Sequence, residues 1–203
     1  MADPRAQLSQ LAADFYQRGW MLGTAGNLSA RLDDGSLWIT ASGRDKGALT
    51  PADFIRVSAA GEVVQRLAPT DRPSAETTIH TAIYELYPEA TACLHVHTIA
   101  ANLVSRFSTA RVLLPTLEML KGLGRWEADP AVYVDVLPNH SHVPDIAAQM
   151  RAQFGAQRPD VPGFLIRDHG ITAWAPTLSG ARNHLELFDY VFRFMVEARK
   201  LGL

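Results

Sequence analysis

The chain has 203 residues, of which 47% are hydrophobic, and its formal net charge at pH 7 is −2. This length and apolar content exclude a disordered chain and predict a single domain over residues 1–203. Lysine and arginine are scattered, so we expect no basic face for nucleic acid. The only cysteine, Cys93, excludes an intrachain disulfide.

The N-terminal segment MADPRAQLSQ is polar and lacks the apolar core of a signal peptide. No apolar run approaches the roughly 20 residues that a membrane-spanning helix needs. These two features predict a soluble, cytoplasmic protein without a membrane partner.

Hydrophobic periodicity predicts five helices and several short strands. In chain order these are a helix over 4–20, a strand after Gly26, a strand over 36–40, a hairpin of 54–58 and 62–66, a helix over 72–88 capped by Ser74, a strand over 90–98, a helix over 99–107, a strand over 131–138, a helix over 142–154, a hairpin over 163–176 that turns near Gly170, and a helix over 178–200. Because neighbouring strands form hairpins, the pattern favours a mainly antiparallel sheet covered by helices.

The stretch ACLHVHT places His95 and His97 two residues apart in a predicted strand. Side chains at this spacing point to the same face, so the two imidazoles would lie side by side. Two such imidazoles are a common start of a zinc site, which needs about four ligands. A strand with one polar, solvent-facing side explains the pair as well, and the motif alone leaves both interpretations open.

A third ligand has to come from another part of the chain. His169, at the end of a predicted strand, is the favoured candidate, although a turn histidine would have the same sequence context. His140 and His142 repeat the spacing of two, but they lie in a predicted loop, where that spacing fixes no geometry. Glu76 is either a capping carboxylate at a helix start or a carboxylate directed at the metal.

Three short segments have the composition of an anion site. The loops GTAGNLS and TASGRDKG are rich in small residues, whose backbone N–H groups can converge on an anion. RPSAE adds Ser74 at a predicted helix start, and Lys46 adds a positive charge. Neither loop matches a nucleotide-binding fingerprint, so the pattern favours a small phosphorylated metabolite.

The motifs GTAGNLSAR, ITASG, PSAETTIHTAIY, LHVHT and DHGITAW resemble those of the class II aldolase family in order and spacing, from about residue 8 to residue 200. The resemblance implies a three-layer α/β/α fold with a central, mainly antiparallel sheet. It also implies a homotetramer with sites at subunit interfaces and one zinc ion per subunit, held by His95, His97 and His169. Some proteins of this fold are structural or binding domains that have lost these histidines, so their retention favours an enzyme.

The same resemblance implies a set of residues for the substrate phosphate. These are Thr24, Asn27, Ser42, Gly43 and Ser74, to which the loop composition adds Lys46. Ala75 stands where the family has the second serine of a pair, so one phosphate-binding hydroxyl is missing. Glu76 falls at the position of the acid/base carboxylate of the aldolases.

Two further stretches, SGRDKGALTPADF and LEMLKGLG, resemble the methylthioribulose-1-phosphate dehydratase branch of the family more than the sugar-phosphate aldolases. This resemblance implies that Glu118 is the acid/base and that Glu76 assists it. From the residues alone, Glu118 would be a solvent-exposed helix acid. Leu114, Leu117 and Met119 are candidates for an apolar pocket around a methylthio group.

The implied reaction is the dehydration of 5-methylthioribulose 1-phosphate, a small phosphorylated ketose of methionine salvage, to 2,3-diketo-5-methylthiopentyl 1-phosphate. Glu118 would take the proton from C3, zinc would stabilise the negative charge that develops, and the C4 hydroxyl would leave as water. The alternative is a class II aldolase for L-fuculose or L-rhamnulose 1-phosphate, which uses the same zinc site to break the C3–C4 bond.

Overall fold

The computed structural model describes residues 3–128 and 131–203. Its strands are β1 (Asn27–Arg31), β2 (Leu37–Thr40), β3 (Phe54–Val57), β4 (Val63–Gln65), β5 (Ala92–Val96), β6 (Arg111–Leu113), β7 (Tyr133–Leu137), β8 (Gly163–Ile166) and β9 (Gly170–Ala175). Its α-helices are α1 (Arg5–Gln17), α2 (Thr77–Leu86), α3 (Ile99–Val104), α4 (Val143–Ala156) and α5 (Leu178–Leu201). Within the described part, no helix combines the length and apolarity that a membrane crossing requires.

The nine described strands form one sheet in the order β4-β3-β2-β1-β5-β9-β8-β7-β6. Strands β7 and β8 run parallel, and every other neighbouring pair is antiparallel. The mainly antiparallel sheet predicted from the hairpins is therefore confirmed. Strand β5 lies near the middle of the sheet, between β1 and β9, so its side chains are covered on both faces.

Helices cover both faces of the sheet. One apolar cluster joins α1, α3 and α5 to the face that carries Ala92, Leu94 and Val96 of β5. A second cluster joins α2 and α4 to the opposite face, which carries Cys93. Because side chains alternate along a strand, β5 contributes to both clusters. The result is the three-layer α/β/α architecture that the family resemblance implies.

Helix α2 begins later than predicted, and Ser74 is not its N-cap. The Ser74 N–H donates to the Thr40 carbonyl oxygen at 3.1 Å, and Pro73 forms a β-bridge with Ala41. The end of β2 thus holds this segment in an extended conformation, and the N-cap position falls on Glu76. The Ser74 hydroxyl accepts a hydrogen bond from the Glu76 N–H at 3.3 Å.

Two elements between residues 111 and 123 were not predicted. Strand β6 pairs only with β7, and its three residues are too few for an alternating pattern to stand out. The 3₁₀ helix Glu118–Leu123 packs against α5. It carries Glu118 at its first position, so the proposed acid/base lies at the start of a short helical segment.

Candidate functional site

The two histidines of the strand motif lie at the C-terminal end of β5. Their Nε2 atoms are 2.9 Å apart, so the imidazoles share one side of the strand as the period of two predicts. The His97 N–H donates to the Trp20 carbonyl oxygen at 2.9 Å, which fixes the backbone just beyond the strand. Thr172 Oγ1 on β9 lies 2.8 Å from His95 Nδ1 and orients that ring with Nε2 toward His97.

The turn between β8 and β9 brings His169 to the same place. Asp168, just before it, has a left-handed backbone with φ of 54°. Its N–H donates to Ser105 Oγ at 3.0 Å, and its carboxylate pairs with Arg106 at 2.5 Å. These contacts stabilise the left-handed backbone conformation of Asp168. Asp168 is therefore a turn former that presents His169 to the cluster.

Gly170 leaves the space in which the imidazoles meet. A Cβ atom at this position would lie 2.3 Å from the Val96 carbonyl oxygen and 3.0 Å from His97 Cδ2. Gly26 has a similar role on the other side of β5, where a Cβ would lie 2.9 Å from the His95 carbonyl oxygen. Neither contact is possible for a real side chain, so these glycines permit the close approach of backbone and rings.

Glu76, at the N-terminus of α2, completes the cluster. Its Oε1 lies 3.0 Å from His169 Nε2, and its Oε2 lies 3.4 Å from His95 Nε2. One donor atom from each of the four residues Glu76, His95, His97 and His169 lies within 4.8 Å of the others. Three imidazoles and one carboxylate match the ligand types and number that a divalent metal such as zinc takes in proteins. The cluster therefore fits a single metal ion.

Burial sets the charge of these groups. It lowers the pKa of His95 to about 4, and it lowers that of His97, with help from the neighbouring imidazoles, to about 3. Both rings are then neutral near pH 7, which is the form that binds a metal. Burial alone would raise the pKa of Glu76, but the nearby His95 and His169 and hydrogen bonds from His169 and Asn27 lower it.

The second histidine pair lies apart from the metal cluster. His140 Nε2 is 3.1 Å from Gln149 Oε1, and His142 Nδ1 is 3.1 Å from Asp145 Oδ1. Both histidines lie in the loop before α4, where the sequence predicts that the spacing of two fixes no geometry. Each has its own local partner, so no second cluster forms here.

Glu118 is not part of the cluster within one chain. Its side chain is 81% exposed and its Oε1 accepts a hydrogen bond from Lys121 Nζ at 2.8 Å. Leu114 is buried in the core, and Leu117 and Met119 pack against the same apolar cluster. These three side chains therefore support the fold near Glu118, and Leu114 has no surface left for a substrate.

The segments predicted to bind phosphate converge beside Glu76. The Lys46 N–H donates to the Gly23 carbonyl oxygen at 2.9 Å, which joins the first two loops. The Ser42 N–H donates to the Arg72 carbonyl oxygen at 2.9 Å, which joins the second loop to the segment before α2. Thr24, Ser42 and Gly43 are exposed and Ser74 is half-buried. The three segments thus form one continuous rim.

Lys46 is buried at this rim with only 2% of its surface exposed. Its ammonium group donates to the carbonyl oxygens of Thr24, at 2.8 Å, and Arg44, at 3.1 Å. No carboxylate of the described residues lies within ion-pair distance of it, and burial lowers its pKa. A lysine ammonium has three donors, so one donor remains, while the Asp45 and Glu76 carboxylates nearby partly offset its charge.

Asn27 is the predicted phosphate ligand whose side chain is already engaged. Its amide nitrogen donates to Glu76 Oε2 at 2.7 Å, and its amide oxygen is 2.5 Å from His80 Nε2. The residue is only 4% exposed. Asn27 therefore links the loop that begins at Gly23 to the metal cluster.

Known proteins resemble this chain along nearly its whole length. The family profile described as Class II Aldolase and Adducin N-terminal domain matches residues 6–196. A protein from Microcystis aeruginosa (strain NIES-843 / IAM M-2473), named methylthioribulose-1-phosphate dehydratase, is 52% identical over 199 residues, which cover 98% of this chain and 97% of that protein. A protein of the same name from Bacillus pumilus (strain SAFR-032) is 38% identical over 195 residues, which cover 94% and 91%.

The fold is also found in solved structures. The crystal structure of L-fuculose-1-phosphate aldolase from Thermus thermophilus superposes with a TM-score of 0.76 at 24% identity, over 96% of this chain and 94% of that one. The match to the family profile spans nearly the whole sequence and includes all four residues of the cluster. The chain belongs to the class II aldolase and adducin N-terminal domain family.

Proposed function

We propose that this protein is a zinc-dependent hydro-lyase that dehydrates 5-methylthioribulose 1-phosphate to 2,3-diketo-5-methylthiopentyl 1-phosphate, a step of methionine salvage. One observation carries the proposal. The Glu76, His95, His97 and His169 cluster lies in a chain that is 52% identical, along nearly its full length, to a methylthioribulose-1-phosphate dehydratase. One zinc ion per chain is the cofactor that this ligand set suits.

The chemical obstacle is the proton on C3, next to the C2 ketone. A divalent metal held by the three imidazoles supplies Lewis-acid stabilisation of negative charge on the substrate oxygens. Glu118 removes the C3 proton, and the Glu118 carboxylic acid so formed, or a bound water, gives a proton to the C4 hydroxyl, which leaves as water. Loss of these groups leaves an enol, which ketonises to the 2,3-diketone. Glu76, close to the imidazoles, assists as a second carboxylate.

In this proposal Glu118 meets the metal cluster through the assembly of identical chains. Within one chain its carboxylate is largely exposed and, among residues 3–128 and 131–203, pairs with Lys121 alone. Two large apolar side chains in the same part of the sequence, Leu113 and Trp126, are 53% and 73% exposed. Exposed apolar groups of this size are typical of surfaces that a partner covers. The homotetramer implied by the family resemblance supplies such a partner.

The substrate phosphate binds, in this proposal, at the rim formed by the three small-residue segments. The third donor of Lys46 and its positive charge favour a dianion there. Thr24, Ser42, Gly43 and Ser74 supply hydroxyl and backbone N–H groups around it. Asn27 contributes as the link to Glu76, because its side-chain amide is already engaged.

A class II sugar-phosphate aldolase is the second candidate. The fold shared with L-fuculose-1-phosphate aldolase favours it. An aldolase of this kind would use the same cluster and break the C3–C4 bond, so the metal ligands do not separate the two reactions. The groups that surround the departing fragment, Glu118 foremost, decide between them.

A direct assay tests the two reactions against each other. The zinc-loaded protein is mixed with 5-methylthioribulose 1-phosphate and, separately, with L-fuculose and L-rhamnulose 1-phosphates, and the products are followed by mass spectrometry. We expect loss of one water from the first substrate alone. Cleavage of a sugar phosphate to dihydroxyacetone phosphate and an aldehyde, without dehydration of the first substrate, would contradict the proposal and support the aldolase.

A further inference from the structure

A row of buried polar side chains runs from the metal cluster into the interior between β1 and α2. Asn27 and Ser29 are two apart on the strand, and Glu76, His80 and Tyr84 are four apart along the helix and its N-cap. Two residues of strand and four residues of helix both advance about 6–7 Å, so the two rows interleave. None of the five is more than 8% exposed.

Hydrogen bonds connect the whole row. The distances are 2.7 Å from Asn27 Nδ2 to Glu76 Oε2, 2.5 Å from His80 Nε2 to Asn27 Oδ1, 2.6 Å from Ser29 Oγ to His80 Nδ1, and 2.7 Å from Tyr84 Oη to Ser29 Oγ. We call this the Glu76–Tyr84 chain. Each member is hydrogen-bonded to the next, from the Glu76 carboxylate at the metal cluster to the Tyr84 hydroxyl in the interior.

The chemistry of the groups fixes the direction of every bond in the chain. An ionised Glu76 only accepts, so Asn27 must turn its NH₂ group toward it and its oxygen toward His80. His80 then carries its proton on Nε2. The fully buried His80 ring has no carboxylate of the described residues within ion-pair distance, so it is neutral, and Nδ1, 2.6 Å from Ser29 Oγ, accepts from that hydroxyl. The other acceptor near that hydroxyl, the Cys93 carbonyl oxygen, is farther away at 3.4 Å.

The far end of the chain is closed. Burial raises the pKa of the Tyr84 hydroxyl well above its usual value, although a hydrogen bond from the main chain of Cys93 lowers it. A main-chain amide neither gives up nor takes a proton near neutral pH. The Glu76–Tyr84 chain of hydrogen bonds therefore has no route to solvent. Because all of its hydrogen bonds point the same way, it orients the Glu76 carboxylate rather than carrying protons.

We propose that His80 is a positioning residue of the metal cluster, which acts through Asn27 to hold the Glu76 carboxylate in place. Its Nε2–H keeps the Asn27 amide oriented with the NH₂ group toward Glu76. Without this donor the buried Asn27 oxygen has no partner among the described residues and the amide is held only at its Glu76 end, so the amide and the carboxylate can shift together. The inference rests on the proposed role of Glu76 at the metal, but not on the identity of the substrate.

Two substitutions at His80 separate positioning from packing. In His80→Gln the side-chain amide reaches the place of Nε2 and can still donate to Asn27. In His80→Asn the shorter amide occupies the place of Nδ1, so it meets Ser29 and leaves Asn27 without a donor. Both remove an imidazole from a fully buried position, so we expect similar losses of thermal stability.

The readouts are the visible absorption spectrum of the cobalt(II)-loaded protein and the kinetic constants for 5-methylthioribulose 1-phosphate. We expect His80→Gln to keep the wild-type cobalt spectrum and kcat. His80→Asn should alter the spectrum and lower kcat by about 10-fold to 100-fold, the range found for groups that orient metal-site residues. KM should change little, because His80 contacts the buried side chains of Asn27 and Ser29 and none of the exposed rim residues Thr24, Ser42 and Gly43. Tyr84→Phe, at the closed end, should preserve both the spectrum and kcat.

Equal spectra and equal kcat for the two His80 variants would overturn the proposal and leave His80 a packing residue. A Tyr84→Phe protein whose cobalt spectrum and kcat are altered as strongly as those of His80→Asn would also overturn the proposal. Should neither His80 variant fold, nitrogen NMR of the wild-type imidazoles decides: an Nε2–H tautomer of His80 supports the proposal, and an Nδ1–H tautomer contradicts it. A wild-type protein without dehydratase activity that still shows the expected cobalt spectra would reject the proposed function alone.

Discussion

Two His-x-His motifs in this chain share a spacing and differ in everything else. At His95 and His97 the rings meet with their Nε2 atoms 2.9 Å apart, in a cluster with a third histidine and a carboxylate. At His140 and His142 each ring pairs with a different residue of α4, and the second side chain is 69% exposed. A spacing of two brings side chains together only where the backbone is extended and held on both sides, as β1 and β9 hold β5.

The largest effect is expected from a substitution in the His95 and His97 motif that leaves the His140 and His142 motif unchanged. His97→Ala removes one of four donors, so most of the bound zinc should be lost, together with activity. His142→Ala is the matched control and should keep the wild-type zinc content, because its ring pairs with Asp145 and lies outside the four-residue cluster. Metal analysis of both proteins after gel filtration checks the prediction. A His97→Ala protein that retains one zinc per chain would contradict the ligand set.

Much of the fold could be predicted because its strands are short apolar segments separated by turn residues. Strand period could pair His95 with His97 and favour His169 as a partner, whereas the full set of three followed from the family resemblance. The N-cap of α2 could not, because a long-range bond from Ser74 to Thr40 overrides the local capping preference. The cytoplasmic location and the single domain over 1–203 stay predictions.

Only part of the hydrogen-bonded row through His80 could be predicted from the sequence. Glu76 and His80 can be assigned to one helix face from their spacing of four. Their connection through Asn27 depends on how β1 lies against α2, which joins residues about 50 positions apart in the chain. Spacing within one element shows which side chains share a face, but the packing of two elements decides which faces meet.

A second comparison concerns the two carboxylates. Glu76 is buried among the imidazoles, whereas Glu118 is 81% exposed in the single chain. If Glu118 is the acid/base, Glu118→Gln should keep fold and zinc but lower kcat by about 10²-fold to 10⁴-fold. Glu127→Gln, at another exposed acid of the same region, should leave kcat unchanged. Full activity of Glu118→Gln combined with an inactive Glu76→Gln would reverse the assignment.

The close packing around His95 and His97 can be tested at Gly170, the neighbouring glycine at the start of β9. In Gly170→Ala the new methyl group would lie 2.3 Å from a backbone oxygen of β5, so the turn or the strand has to move. We expect a loss of about 1–3 kcal/mol in the free energy of unfolding and weaker zinc binding. Gly155→Ala in α4 meets only Leu86 Cδ2 at 3.6 Å and should instead stabilise by about 0.5 kcal/mol. Equal stability of the two variants in urea unfolding would show that the close approach has no cost.

The smallest expected effect concerns the orientation of one ring. Thr172→Val removes the hydroxyl that lies 2.8 Å from His95 Nδ1 and changes little in shape. A backbone hydrogen bond to Ile171 still holds the ring, so we expect the low end of the effect of such partners, about a tenfold loss of zinc affinity. Thr78→Val is the matched control, because its buried hydroxyl has no hydrogen-bond partner among the described residues. Competition with a chelator measures both affinities. An unchanged affinity for Thr172→Val would mean that the β5 strand and Ile171 orient His95 without the threonine, and that the backbone alone distinguishes the two His-x-His motifs.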